Sequence, residues 1–376
     1  MRSHAAIVVI VLACAVATAG GFLWYRAATA PITAKAEPLA KIPPPLPSPD
    51  DIRGVYMTAN TAQGKGLAAK TKRDTILRLL DETELNALVI DVKESGGAQV
   101  TEELKQFVAS LADKPIWKIA RVVVFADNSQ TKTHPDWYLH YVGGGMWRDR
   151  GGVAWLDPAK PETQNYIVDF ADSIVDLGFN EIQFDYIRYP SDGSVGGIKR
   201  TVANKTKREI IADVFKTFSE ELRARHPDIK LSIDVFGYVT ERPELSIGQA
   251  LADAVPHMDY ISPMVYPSHY YSGYFAKADK ARGLPAVNLS RQGAHTNPET
   301  VVYRSMLGAT DTIAAITTTA RRAKLRPWLQ DFSMNGVWYS ADRVRAQIDA
   351  AARASTAGYL LWNAGNRYTE GALEKE

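Results

Sequence analysis

Strand-like and helix-like segments alternate along the chain from residue 51 to its last residues. Eight segments rich in branched and aromatic residues are typical of buried strands: residues 53–58, 86–92, 119–127, 181–187, 231–237, 259–266, 325–332 and 358–365. Amphipathic segments with apolar residues at helical spacing lie between them: residues 70–84, 102–112, 163–177, 207–225, 298–323 and 341–357. This alternation predicts a parallel sheet whose strands are joined by helices.

Eight strand–helix repeats in one segment of this length predict an α/β fold, a single (β/α)8 barrel of the TIM type. An open, doubly wound sheet is the alternative, but such a sheet normally carries a glycine-rich turn after its first strand. The loop after the first predicted strand reads TANTAQGKG and has neither that spacing nor the Walker spacing. Long loops follow the third and sixth predicted strands, at residues 128–160 and 267–297.

The composition is that of an ordinary globular protein, with 46% hydrophobic and 23% charged residues. A net charge of +2 indicates no basic surface, so we expect no nucleic-acid partner. The single cysteine, Cys14, excludes a disulfide framework and a cysteine zinc site. Because the spacing of the histidines is unlike that of metal ligands, we predict neither a metal nor another cofactor.

The N-terminal segment, residues 1–30, contains an uncharged and mostly apolar run that ends before Arg26. The run can just span a bilayer, and its small-residue pairs also suit a signal peptidase, so it predicts a signal peptide or a membrane anchor. We therefore expect export to the periplasm or cell surface, with residues 5–24 in the inner membrane if the segment is kept. Residues 31–50 are rich in proline and predict an extended linker, which leaves residues 51–376 as the folded domain.

Acidic residues occur where several of the predicted strands end. Because residues two apart in a strand point to the same side, these acidic side chains share a side with polar neighbours and not with the apolar ones. The strand ends are predicted to bring together at the barrel mouth the carboxylates of Asp91, Glu94, Asp185, Asp234 and Asp331. Strand seven is ambiguous, since either Gln330 or Asp331 could face inward.

Glycoside hydrolysis needs two carboxyl groups, one protonated and one ionised, about 5–9.5 Å apart. Asp185 is predicted to be the nucleophile or base, because Arg188 three residues later would hold its carboxylate ionised. Asp234 is predicted to be the proton donor, kept protonated by burial beside a second negative charge. The two roles could be exchanged, and Asp331 is predicted to be a third catalytic carboxylate, since it or Asp91 would orient a sugar hydroxyl.

Aromatic side chains are concentrated in the two long loops and at the ends of strands six and eight. Such rings stack on the C–H faces of sugars, while Tyr and Trp also offer a polar group to hydroxyls. The predicted substrate-binding residues are Asp91, Lys93, Glu94, Trp137, Trp147, Arg188, Tyr266, His269, Tyr270, Trp362 and Asn363. In strand eight Trp362 and Asn363 compete for the inward position, and about half of the loop aromatics are expected to pack beneath the loops.

Five segments together resemble a bacterial TIM-barrel family of glycoside hydrolase domains that was long of unknown function: RGVYMT, NALVIDVKESGG, FDYIRYP, SPMVYPSHY and LRPWLQDF. The resemblance covers residues 51–370 and implies a sugar-cleaving barrel. Strand four is also similar in pattern to strand four of α-amylases, whose nucleophilic Asp corresponds to Asp185. The α-amylase acid is a Glu where this chain has Asp234, and its third carboxylate corresponds to Asp331. Strand six is similar to that of family-18 chitinases, but their DxxDxDxE signature is missing from strand four.

The residues and the resemblance together predict an exported glycoside hydrolase that cleaves a cell-envelope or extracellular polysaccharide. Its partner would be a carbohydrate polymer, and the sequence predicts no particular oligomeric state. The alternative is a non-catalytic glycan-binding barrel of the cell envelope, in which the aromatic residues bind sugar and the carboxylates are structural.

Overall fold

The computed structural model describes residues 49–316 and 322–375. The predicted signal peptide or anchor, Cys14 and nearly all of the predicted linker lie outside these residues. Among the described residues, no helix combines the length and the apolar character needed to cross a membrane.

Within the described residues, eight parallel strands close into a barrel, which confirms the predicted (β/α)8 fold. They are β1 (Ile52–Met57), β2 (Ala87–Glu94), β3 (Trp117–Val123), β4 (Glu181–Asp185), β5 (Lys230–Phe236), β6 (Tyr260–Met264), β7 (Trp328–Gln330) and β8 (Gly358–Trp362). Each strand pairs with the next, and β8 pairs with β1. A two-residue strand, Lys324–Leu325, pairs with β6 just before β7 begins.

Helices follow the strands in the order that the sequence predicts. They are α1 (Ala59–Gln63), α2 (Leu67–Glu82), α3 (Glu102–Ala109), α4 (Pro161–Val175), α5 (Lys207–Arg225), α6 (Leu251–Ala254), α7 (Arg291–Thr296), α8 (Pro298–Ala314) and α9 (Ala341–Arg353). Helix α5 has the predicted bounds, because a capping box formed by Thr206 and Glu209 fixes its first turn. Helix α8 ends at Ala314, before the predicted residue 323.

Side chains that alternate along the strands fill two apolar layers. One face of each strand packs against the helices, as Phe184 of β4 does against Phe218 of α5, with ring centroids 5.0 Å apart. The other face fills the barrel, where a second buried cluster contains Tyr56, Val89, Ile119, Tyr260, Trp328 and Leu360. Because the two layers use alternate residues, the polar residues at the strand ends point toward the barrel axis.

A buried ion pair closes the amino-terminal end of the barrel. Arg326 donates through Nη1 to Oε2 of Glu181 at 3.0 Å, and the indole of Trp117 donates to the same oxygen at 2.9 Å. Both charged side chains are fully buried. Removal of one partner of a buried ion pair lowers the free energy of unfolding by about 3–5 kcal/mol, because the other charge stays buried without a partner. Arg326 and Glu181 therefore hold each other in place at this end of the barrel.

Strands β1 and β8 approach each other closely where the barrel closes. Ile52 pairs with Gly358, which has a φ of +94°, and a Cβ at Gly358 would lie 2.0 Å from the Ile52 carbonyl oxygen. No side chain fits at that distance, and this φ also favours glycine. The seam between the first and last strands therefore depends on a glycine.

Candidate active site

A cavity of about 550 Å³ opens at the carboxyl-terminal end of the barrel. Strand residues line it, among them Arg121, Asp185, Asp234, Met264, Trp328 and Trp362. The loops after β4, β5 and β6 complete the lining with residues that include Tyr186, Arg188, Tyr238, Tyr266, His269 and Tyr271. A cavity of this size, aromatic with a few converging polar groups, is typical of a small-molecule or sugar site.

Asp185 and Asp234 lie in this cavity at the ends of the neighbouring strands β4 and β5. Nε of Arg121 donates to Oδ2 of Asp185 at 3.1 Å and lies 4.0 Å from Oδ2 of Asp234. The two carboxylate oxygens are therefore at most 7.1 Å apart, the sum of these two distances. Carboxyl pairs that cleave glycosidic bonds are separated by about 5–9.5 Å, and this upper bound falls within that range.

Asp234 is more deeply buried than Asp185 and lies farther from Arg121. It is almost fully buried, and Trp328 donates through Nε1 to its Oδ1 at 2.7 Å. Burial raises the pKa of Asp234 well above its ordinary value, and the charge of Asp185 raises it further, against the opposing effect of Arg121. The protonated form of Asp234 is thus favoured, as a proton donor requires.

Asp185 ends β4 at a change in backbone direction. The next residue, Tyr186, has a φ of +53°, and its backbone N–H donates to Oδ1 of Asp185 at 2.6 Å. A bulky side chain rarely adopts a positive φ, and such strained residues are concentrated at functional sites. The predicted strand extends to residue 187, and this left-handed residue explains why β4 stops at Asp185.

Arg121 is a site residue that the sequence reasoning missed. Its guanidinium donates to Asp185 through Nε and Nη2, and through Nη1 to Oδ1 of Asp91 at 2.5 Å. Burial alone would lower the pKa of Arg121, but the surrounding carboxylates raise it well above its ordinary value. The signal was present in the sequence, because Arg121 is a charged residue within an apolar strand and lies two positions after Ile119 on the inward side.

Arg188 lines the cavity as predicted, but it does not form the predicted ion pair with Asp185, and this prediction is corrected. Its Nη1 donates to the carbonyl of Tyr189 at 2.8 Å, and its guanidinium lies over the rings of Phe236 and Trp155 at 4.5 and 5.0 Å. In the described part of the chain, Arg121 is the cation that forms the salt bridge with Asp185. Arg188 therefore supports the cavity wall by packing on aromatic rings.

A family model described as "putative glycosyl hydrolase domain" matches residues 54–368. The chain belongs to this family. The match runs from β1 to beyond β8, and it confirms the family resemblance inferred from the sequence. A glycoside hydrolase-like domain implies a carbohydrate substrate. None of the curated proteins matches the sequence.

Three solved structures share the fold of this glycosyl hydrolase-like domain. The glycoside hydrolase domain of PgaB (BpsB) from Bordetella bronchiseptica is 10% identical, with a TM-score of 0.59 over 84% of this chain and 95% of that one. The spore cortex-lytic enzyme SleL from Bacillus megaterium is 10% identical, with a TM-score of 0.50 over 87% and 74%. The α-galactosidase TtGalA from Thermus thermophilus is 13% identical, with a TM-score of 0.50 over 84% and 58%. At these identities the likeness shows the fold alone.

The other predicted acidic and basic residues of the glycosyl hydrolase-like domain lie beside the cavity. Asp91 is fully buried and accepts hydrogen bonds from Arg121 and from the Tyr56 hydroxyl. Glu94 is half-buried next to it, and burial, followed by the charge of Asp91, raises the pKa of Glu94. Lys93 is fully buried and pairs with Asp127 at 2.5 Å. The burial of Lys93 therefore contradicts the prediction that this residue binds sugar directly.

Asp331 and Asn363 were predicted to be at the mouth, but both form hydrogen bonds with the segment after β8. Thr369 donates to both carboxylate oxygens of Asp331, through its N–H at 2.8 Å and its hydroxyl at 2.6 Å. The amide of Asn363 donates to the carbonyl oxygens of Asp331 and Arg367. The inward positions are taken instead by Gln330 in β7 and Trp362 in β8, which resolves both ambiguities and corrects the placement of Asp331.

Four predicted aromatic residues line the cavity, although to different depths. Tyr266 is buried on its floor, where burial and then the charges of Asp234 and Asp185 raise the pKa of its hydroxyl well above the ordinary value. Trp362 stacks on Tyr56 with ring centroids 4.0 Å apart. His269 is half-buried, and burial lowers its pKa. Tyr270 is nearly fully buried, with its hydroxyl 3.2 Å from that of Ser305.

Trp137 and Trp147 lie apart from this cavity. Trp147 is fully buried, and its indole donates to the carbonyl of Ser194 at 3.0 Å. Trp137 is half-buried and stacks on His134 beside helix α4. Trp147 therefore belongs to the core beneath the long loop after β3, which corrects its predicted role in binding sugar.

Replacing Trp147 by Ala is expected to lower the free energy of unfolding by about 3–5 kcal/mol, since it leaves a large cavity in a packed layer. Urea denaturation followed by circular dichroism measures this change. Trp137→Ala is the matched control, because a half-buried tryptophan should cost much less. If the two variants have equal stability, Trp147 is not a core residue of that loop.

Within residues 49–316 and 322–375, no group of three or more His, Cys, Asp or Glu side chains could hold a metal ion. The chemistry that the described site supports best is acid–base chemistry on a bound substrate, with a buried acid that gives a proton and a carboxylate that attacks or takes one. Asp234, Asp185 and Arg121 are the groups placed for it.

Proposed function

We propose that this protein is an exported glycoside hydrolase that cleaves a cell-envelope or extracellular polysaccharide. The observation that carries the proposal is the pair formed by Asp185 and Asp234, which share one cavity and one arginine but differ in environment. Hydrolysis of a glycosidic bond needs one protonated and one ionised carboxyl group. Burial raises the pKa of Asp234, and Arg121 forms a salt bridge with Asp185.

In this proposal Asp234 gives its proton to the glycosidic oxygen as the bond from that oxygen to the anomeric carbon breaks. Asp185 then either attacks the anomeric carbon or takes a proton from the water that does so. Arg121 holds the Asp185 carboxylate in place from β3, and Asp91 and Tyr56 hold Arg121 in turn. Asp91 thus acts through Arg121 and not on the sugar.

Two further considerations support a polysaccharide of the envelope as the substrate. The apolar N-terminal segment and the proline-rich linker are typical of a chain that is exported and held at some distance from a membrane. SleL, one of the proteins of similar fold, is a spore cortex-lytic enzyme by name. The fold is shared, and the use of the same kind of substrate is our proposal.

The proposal is tested by incubating the protein with purified peptidoglycan, soluble starch, chitosan and alginate. New reducing ends and product masses are measured after separation. Release of defined oligosaccharides from at least one polymer supports hydrolysis. Retention of a polymer without any release would instead favour the non-catalytic glycan-binding barrel.

Tyr266→Phe is expected to lower kcat/KM by about 10- to 100-fold, the scale of one hydrogen bond to a charged group. The hydroxyl lies on the cavity floor near both carboxylates, where it can donate to the sugar or to Asp185. Steady-state kinetics on the polymer identified in the panel measure the loss. Tyr270→Phe is the control, because that hydroxyl is next to Ser305, and it should retain most of the activity.

A further inference from the structure

The large apolar side chains that are exposed in the described residues lie on one face of the barrel. Five of them are in segments that lead from the carboxyl end of a strand to the next helix, namely Val142, Leu245, Tyr271, Phe275 and Trp338, and Leu67 is the first residue of α2. Single exposed apolar residues are common on protein surfaces, so those that are also connected to the cavity lining are the informative ones. Two of these residues, Tyr271 and Trp338, are connected to the cavity through described contacts.

Trp338 is 75% exposed, yet the backbone that carries it is held firmly. Met334 and Val337 exchange backbone hydrogen bonds across a tight turn in which Asn335 and Gly336 both have positive φ. The carbonyl of Trp338 itself accepts from Arg343 at 3.1 Å. Because the backbone is already fixed at this position, binding through the indole needs no further ordering of the loop.

Tyr271 connects the cavity to the outer surface. It lines the cavity but is 57% exposed. Its ring is nearly parallel to that of His269 at 5.8 Å, and the guanidinium of Arg291 lies 4.9 Å from its centre. The ring therefore belongs both to the cavity wall and to the face around the mouth.

Helix α7 links Tyr271 to the loop that carries Trp338. Arg291, which contacts Tyr271, is the first residue of α7, and His295 lies about one turn further along. The Tyr339 hydroxyl donates to the carbonyl of His295 at 3.3 Å, and the two rings are 5.6 Å apart. Helix α7 therefore contacts Tyr271 directly through Arg291, and it contacts the backbone neighbour of Trp338, Tyr339, through His295.

We propose that Tyr271 and Trp338, together with Arg291, form an outer sugar-binding platform beside the cavity. The substrate is then a polysaccharide chain that extends out of the cavity across the loops after β6 and β7. This inference rests on the proposed glycoside hydrolase function and adds to it that the enzyme acts on polymers in preference to single-sugar glycosides.

The chemistry of the platform fits a glycan. Flat aromatic rings stack on the C–H faces of sugars, and the Arg291 guanidinium can donate to hydroxyl groups or bind an acidic sugar. A glycan is favoured over a protein or a lipid surface because Tyr271 is shared with the cavity. A chain bound in the cavity would therefore meet the platform as it leaves.

The test compares Trp338→Ala with the wild-type protein on two substrates: the polysaccharide cleaved in the panel, and an aryl glycoside of its single sugar. We expect kcat/KM on the polymer to fall by roughly tenfold, the scale of one lost apolar contact, with that on the aryl glycoside unchanged. Val142→Ala is the matched control, since this exposed residue follows β3, on the opposite side of the barrel from β7. It should leave both values unchanged.

Equal losses on both substrates, or no loss on the polymer, would overturn the platform. The platform would also be overturned if Trp338→Ala changed only the self-association of the protein, measured by light scattering. This face would then be a contact between copies of the chain. If the wild-type protein cleaves none of the polymers, the proposed function fails by itself. Affinity electrophoresis in gels that contain the same four polymers then tests the platform by itself. The platform requires that Trp338→Ala is retained less strongly than Val142→Ala.

Discussion

Asp185→Asn is expected to lower kcat/KM on the polysaccharide by at least about 10⁴-fold, the scale on which hydrolases respond to loss of a nucleophile or base. The Asn side chain has nearly the same volume and can still accept the hydrogen bond from the Tyr186 N–H. It has no negative charge, so it can neither attack the anomeric carbon nor take a proton from water. Reducing-end assays over long incubations measure the residual rate.

Asp331→Asn is the matched control for this variant. It makes the same chemical change to another buried carboxylate, one that is bound by Thr369 outside the cavity lining. We expect it to keep most of the activity and to lose some thermal stability. Retention of the polymer by Asp185→Asn must stay close to that of the wild type. Full activity in Asp185→Asn would remove this residue from the chemistry, and loss of activity in Asp331→Asn alone would restore its predicted role.

Asp234→Asn is expected to lower kcat/KM by about 10²- to 10⁴-fold on substrates with poor leaving groups, the range of general acid catalysis. Aryl glycosides with good leaving groups need little help from an acid and should be cleaved almost as fast as by the wild type. The wild-type rate should fall as the pH rises through the raised pKa of Asp234, because the protonated form is the active one. The variant should lack this alkaline limb, and pH–rate profiles on both substrates measure it.

The same residue links activity to stability. Because burial raises the pKa of Asp234, its carboxyl ionises at lower pH in the unfolded chain than in the folded one. The stability that this group contributes is complete at low pH and is lost as the pH rises through its folded pKa. Thermal unfolding at a series of pH values should show this loss in the wild type and not in Asp234→Asn. A full alkaline limb in the variant would exclude Asp234 as the acid, and parallel stability curves would show that its pKa is not raised.

The alternation of strand-like and helix-like segments was sufficient to predict the barrel. The alternation of side chains along each strand predicted the two inward carboxylates, since Asp185 and Asp234 each lie two positions from another inward residue. The partner of Asp185 was not predictable in this way. Arg188 is near it in sequence, whereas Arg121 is brought to it by the pairing of β3 with β4, with Val123 opposite Asp185. Sequence distance is a poor guide to contacts across a parallel sheet.

Loops and the last residues account for the other differences. Trp147 and Trp137 lie in the same aromatic-rich segment, and local composition does not distinguish the buried ring from the half-buried one. Asp331 has the composition of a site residue, but its partner Thr369 comes from beyond the last strand. Arrangements of this kind depend on how a long segment folds back, which the period of a strand or helix does not specify.

The glycine seam between β1 and β8 also has a consequence for the order in which the protein folds. Ile52 can pair with Gly358 only after Gly358 has been synthesised, so this edge of the first strand stays unpaired until the last strand has left the ribosome. Until then the growing sheet has two open edges, which can pair with other chains. Contacts between residues so far apart in sequence also form slowly. A partly synthesised chain is thus the aggregation-prone state of this protein, and the completed barrel removes both edges at once.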